Sequence, residues 1–114
     1  MHTTIQLLDL LRDKLGSDYR TGKVMDIDQS RVSKMRTGKG VFTDTQGLEV
    51  AKILGLKEEY VLLSLAAERA DNGKIQKILI SLADKFQPKA VAATFLFSVF
   101  IVASLALPSL PITA

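Results

Sequence analysis

Apolar residues recur along this chain at the spacing of helices, and no stretch alternates as a strand would. Ile5, Leu8, Leu11 and Leu15, with Leu7 adjoining, mark one face of a helix over about Thr3 to Leu15, and Gly16 supplies its left-handed stop. Ser17 is placed to cap a second, short helix from Asp18 to about Met25. Tyr19, Val24 and Met25 are all the apolar surface that helix offers, so its neighbours must hold it. Asp28 is placed to cap a third helix through Arg36, in which Val32 and Met35 share a face and Arg31 and Lys34 point elsewhere. Thr37, Gly38, Lys39 and Gly40 then break the helix, forming a loop tight enough for backbone amides to approach a phosphate.

Thr43 and Gln46 form a capping box that opens a fourth helix, with Leu48, Ala51, Ile53 and Leu54 expected to face inward before Gly55 ends it. A fifth helix follows from about Glu58 to Ala70, buried through Tyr60, Val61, Leu63, Leu65 and Ala66, with Glu58 and Glu59 suited to its N-terminus. Beyond Asp71, Asn72 and Gly73, the residues Ile75, Ile78, Leu79, Leu82 and Phe86 trace a strongly amphipathic sixth helix. Such a helix can close the core, pair with a second copy or lie on a membrane surface, in that order of expectation. Last comes Ala90 to Leu107, an 18-residue run without a charge, ended by Pro108.

Composition sharpens this all-α picture. The 114 residues suit one small domain with an appendage rather than two full domains, and they leave little room for a catalytic cleft. The mean hydropathy of +0.21 is high for a chain with 24% charged residues, and the C-terminal run is its source. Without cysteine there is no disulfide or thiolate metal site, and the lone His2 builds no histidine site. No Gly-rich phosphate loop, paired carboxylates or Ser-His-Asp arrangement stands out, so an enzyme is not expected, nor a cofactor. The chain opens on an amphipathic segment rather than on a signal peptide.

The net charge of +3 is unevenly spread. Residues 1 to 40 hold eight basic and five acidic side chains, residues 41 to 72 three and six, and residues 73 to 114 four and one. Between Gln29 and Gly40 stand Arg31, Lys34, Arg36 and Lys39 and no acid, which concentrates positive potential on one short element. A helix that enters the major groove needs polar groups for base edges, apolar residues to seat it and cations for phosphates. The third helix supplies all three. Gln29 can read adenine and Arg31 guanine in bidentate fashion, Ser30 stands beside them, and Ser33, Lys34, Arg36 and Lys39 suit phosphates.

The stretch from Tyr19 to Gly38 resembles the Cro and repressor class of phage helix-turn-helix proteins. The runs RVSKMRTGKG and FTDTQGLEVAKILGLKEEYVLLSLAAERA are similar to an uncharacterised family of short phage-related proteins of filamentous phages and prophages. The likeness extends over about residues 7 to 70. It implies a five-helix, lambda-repressor-like bundle, a role in regulating phage transcription, and double-stranded DNA as partner. This chain departs from the class twice, with Gly22 where the first helix usually has alanine and Asp26 where the turn usually has glycine. Gly22 permits a close helix contact at about 1 kcal/mol of helix propensity, and Asp is among the few residues that tolerate a left-handed turn.

Ala90 to Leu107, at about 1.5 Å per residue, reaches about 27 Å, close to the thickness of a hydrocarbon core. Only Thr94, Ser98 and Ser104 within it are polar, so a transmembrane helix is the expectation and an oligomerisation core the alternative. Lys85 and Lys89 precede it and no basic residue follows, which places the N-terminal part in the bacterial cytoplasm, tethered to the inner membrane. Ala90, Thr94 and Ser98 form a small-residue face suited to a homodimer. The expected organisation is a DNA-binding domain over residues 1–73, an amphipathic connecting helix over 74–88 and a hydrophobic segment with tail over 89–114. The function expected is a membrane-anchored, phage-type transcriptional regulator. The alternative is a membrane-associated accessory or assembly protein that uses the same fold for protein contacts.

Overall fold

A computed structural model describes residues 1–87. The chain is all-helical there, with six helices and no strand among the described residues: α1 (Thr4–Leu15), α2 (Asp18–Met25), α3 (Gln29–Arg36), α4 (Asp44–Leu54), α5 (Glu58–Arg69) and α6 (Gly73–Asp84). The run from Ala90 to Leu107, its small-residue face and Lys89 lie outside the described residues. Among the described residues no helix is long and apolar enough to cross a membrane.

Short polar side chains set where the helices begin. Ser17 accepts from the Arg20 amide at 3.1 Å, and the Thr43–Gln46 box closes with bonds of 3.0 and 3.1 Å, as the spacing predicts. A second box, Thr3 with Gln6, opens α1. Asp28 does not cap: it is exposed, and its carboxylate makes no bond to the first turn of α3. The glycines at Gly16 and Gly55 end α1 and α4 with positive φ.

The core is built around α1, which packs on α2, α3 and α4, while α5 packs on α4 and carries α6 on its other side. Leu7, Leu8 and Leu11 of α1 are fully buried against Met35, Phe42 and Tyr60. Burying one such side chain is worth about 1.5–3 kcal/mol, which gives helices as short as α2 and α3 their stability. A buried polar strut crosses this core: Thr4 donates through its amide and hydroxyl to Glu68, at 2.8 and 2.9 Å, and accepts from the Phe42 amide at 3.3 Å. It ties the start of α1 to the end of α5 and to the segment before α4.

Periodicity misassigns several faces. Leu48 points outward, 40% exposed, because Gly47, Val50 and Ala51 take the α5-facing side of α4. The reason is close approach: a Cβ on Gly47 would lie 2.7 Å from Leu65 Cδ1. Tyr19 and Val24 are likewise exposed, and α2 is held through Thr21, Gly22 and Met25 instead. Ile5 stands at the surface of α1.

The largest correction concerns α6. Gln76 donates to the Ala67 carbonyl at 3.0 Å, Ala83 is fully buried, and Leu79 and Ile80 are partly covered, so this side rests on α5. Ile75, Ile78 and Leu82, expected on the packed side, are 52%, 51% and 38% exposed. The apolar arc of α6 is wider than one neighbour can cover, and the side carrying the fully buried Ala83 is the packed one.

Met35→Ala is expected to lower the unfolding free energy by about 2–5 kcal/mol, whereas Leu48→Ala costs less than about 1 kcal/mol. Chemical denaturation of both variants checks the difference; equal losses would place Leu48 in the core.

Candidate nucleic-acid interface

α2 and α3 have eight residues each and are joined by the three residues Asp26 to Asp28. The chain reverses at Asp26, whose φ of 57° and ψ of 50° lie in the left-handed region. The amides of Asp26 and Ile27 both donate to the Gly22 carbonyl, the latter at 2.8 Å, so the turn is wound tightly onto the end of α2. A Cβ on Gly22 would lie 2.8 Å from the Ile27 carbonyl oxygen and 2.3 Å from Gln29 Nε2. Here only glycine admits the return of the chain. The two positions that depart from the resembled class are therefore both turn-forming, one by lacking a side chain and one by carrying a short polar side chain.

Past the turn, Val32 and Met35 are buried and seat α3 against α1 and α2. Helical periodicity then leaves Gln29, Ser30, Arg31, Ser33 and Lys34 outward, and all five are exposed. The Gln29 side-chain amide donates to the Tyr19 carbonyl at 3.1 Å, which fixes that side chain across the helix pair. The Arg31 guanidinium donates to the Val41 carbonyl at 3.3 Å and remains exposed. Ser30, Ser33, Lys34 and Lys39 are open to solvent.

Arg36 does not belong with them. Its guanidinium donates to both carboxylate oxygens of Asp18, at 2.8 and 3.1 Å, and to Asp9, and only 24% of the side chain is exposed. The Asp18 hydrogen bonds, and then those of Asp9, raise its pKa above the ordinary arginine value against the opposing effect of burial. Fork geometry makes such a bidentate pair strong, and here it ties α3 to α1 and α2 rather than reaching for phosphate. Sequence spacing offered no sign of this, because Asp9 and Asp18 lie 27 and 18 residues away.

The loop after α3 also differs from expectation. The Gly38 amide donates to the Met35 carbonyl at 3.1 Å and the Lys39 amide to the Lys34 carbonyl at 2.8 Å, so both finish the helix instead of facing outward. Lys39 thus contributes its side chain alone. Two residues that the sequence reading did not assign to the site adjoin it: Lys23 Nζ sits 5.3 Å from the centre of the exposed Tyr19 ring, one turn along α2. Together with Gln29, Arg31 and Gln46 they border an open groove of about 600 Å³ beside the turn. Their i, i+4 spacing was the available signal.

The charge is graded. Asp26 and Asp28 are exposed beside the start of α3, whereas Lys34 and Lys39 stand at its far end with no carboxylate within salt-bridge reach among the described residues. Positive charge is therefore concentrated at the C-terminal end of α3, and negative charge at the turn. Comparison of the chain with protein-family models, with curated proteins and with solved structures finds no match.

Two outcomes are expected from substitution here. Asp26→Gly should leave stability unchanged or raise it by up to about 1 kcal/mol, while Asp26→Val should lower it by about 1–2 kcal/mol; thermal melts decide, and a neutral valine would contradict the left-handed turn. Arg36→Ala should cost about 1–3 kcal/mol of stability, and Lys34→Ala no more than about 0.5 kcal/mol. Denaturant titration of both variants separates a clamp from a free cation.

Proposed function

We propose that α2, the turn and α3 form a helix-turn-helix of the phage repressor type, and that the protein binds double-stranded DNA through the outward side of α3. The observation that carries this reading is the combination of a left-handed Asp26, a Gly22 in backbone contact and a buried Val32–Met35 pair. Together they hold an eight-residue helix with its polar side unobstructed. In this arrangement Gln29, Ser30 and Arg31 meet base edges, while Ser33, Lys34 and Lys39, joined by Lys23 from the bracing helix, meet phosphates. Arg36 acts from behind, keeping α3 at its angle to α1 and α2.

The remaining parts of the proposal rest on the sequence. Ala90 to Leu107 spans the inner membrane with the DNA-binding part in the cytoplasm, and the protein acts as a dimer on two half-sites, regulating transcription of phage genes.

Binding of duplex DNA by the full-length protein in mild detergent tests the first claim. Affinity should fall steeply with salt, and Lys34→Ala and Lys39→Ala should each reduce the slope of log affinity against log salt by about one. Arg31→Ala should cost about 1–3 kcal/mol at a single cognate base pair and little on random sequence. No binding even at low salt would transfer the helix pair to a role in protein contacts.

A further inference from the structure

We infer that the outward strip of α6, Ile75, Ile78 and Leu82, rests on the headgroup layer of an anionic bilayer. The inference builds on the reading of Ala90 to Leu107 as a membrane span. Four observations lead to it.

First, the strip is real surface. Its three large aliphatic side chains lie at i, i+3 and i+7, all exposed, while α5 covers the opposite side through Leu79, Ile80 and Ala83. Second, the charge along this helix is mostly positive, although the exposed Asp71 precedes its cap. Lys74 and Lys85 flank the strip and are exposed, while Lys77 is exposed on the far side of the helix. The helix's one acid, Asp84, is turned away from the strip and is bound to the Met1 amino group at 2.9 Å. Aliphatic side chains bordered by lysines match the boundary between acyl chains and anionic headgroups, where lysine stems lie along apolar surface and the ammonium groups stay in the phosphate layer.

Third, the tether is short. Six residue steps separate Asp84, the end of α6, from Ala90, the start of the uncharged run, so the two lie within about 20 Å even if fully extended. A chain that inserts from Ala90 therefore keeps Leu82 and Ile78 near the surface. Fourth, the strip is too small for the main alternative. Three partly covered side chains fall well short of the roughly 800 Å² per partner that a stable protein interface buries. The strip is on the helix carried by α5, whereas α3 is seated on α1 and α2, so membrane contact and DNA contact use different helices.

The test exploits the absence of cysteine. Single variants Ile78→Cys, Asp13→Cys and Ser98→Cys of the full-length protein are spin-labelled and reconstituted in vesicles of phosphatidylcholine and phosphatidylglycerol. The label at position 78 should be accessible to oxygen over an aqueous nickel complex several-fold more than the label at 13, an exposed position on α1. Replacing Lys74 and Lys85 with Gln, or omitting phosphatidylglycerol, should shift that population toward water by about fivefold per lysine. Ser81→Cys, beside the strip, repeats the measurement without removing an apolar side chain. A label at 98 in lipid with a label at 78 in water overturns the inference and leaves the anchor intact. Labels at both positions in water reject the anchor, and the inference with it. Spin–spin broadening at position 78 without lipid contact gives the strip to a second copy and also overturns the inference.

Discussion

The geometry of this protein depends on how α3 is fixed to α1. Val32 and Met35 provide the attraction, since both are buried against a helix that itself buries Leu7, Leu8 and Leu11. Apolar contact alone is non-directional and would allow an eight-residue helix to rock or slide. The guanidinium of Arg36 supplies direction, because its planar fork engages Asp18 from α2 and Asp9 from α1 at once. Burial sets the depth of α3 and the ion pairs set its angle. Every outward residue of the helix, from Gln29 to Lys34, inherits its position from those two constraints.

Much of this was legible in the sequence, and for identifiable reasons. The six helices follow from local signals: hydroxyl caps at Ser17 and Thr43, glycine stops at Gly16 and Gly55, and apolar residues at helical spacing. The inward direction of Val32 and Met35, and hence the outward direction of Arg31 and Lys34, also followed, because two apolar residues in a polar helix leave one choice. Where a helix had several apolar sides the choice was open, and periodicity selected wrongly for Leu48 and for Ile75, Ile78 and Leu82. On α4 a small residue decided the matter: Gly47 permits close approach, and spacing alone does not register how near a neighbouring helix comes.

The candidate interface was legible to a similar depth. Composition singled out α3, but it treated all four cations from Arg31 to Lys39 alike. Arg36 is claimed by carboxylates distant in sequence, and the amides of Gly38 and Lys39 are claimed by the end of α3 itself. Both are long-range or backbone effects that side-chain identity does not carry. Conversely, Tyr19 and Val24 read as a weak helix's meagre filling, yet they form part of the outer surface.

Under the proposed function, the bond from the Gln29 amide to the Tyr19 carbonyl would give base recognition an internal competitor. An adenine edge asks for both the oxygen and the nitrogen of that amide, so under the proposed function the side chain must let go of α2 before it can engage the base. Backbone tracking over arbitrary sequence leaves the bond in place and the side chain parked. Only a base that satisfies both amide atoms offsets its loss, so the resting contact sets a threshold that weak or mismatched sites do not cross.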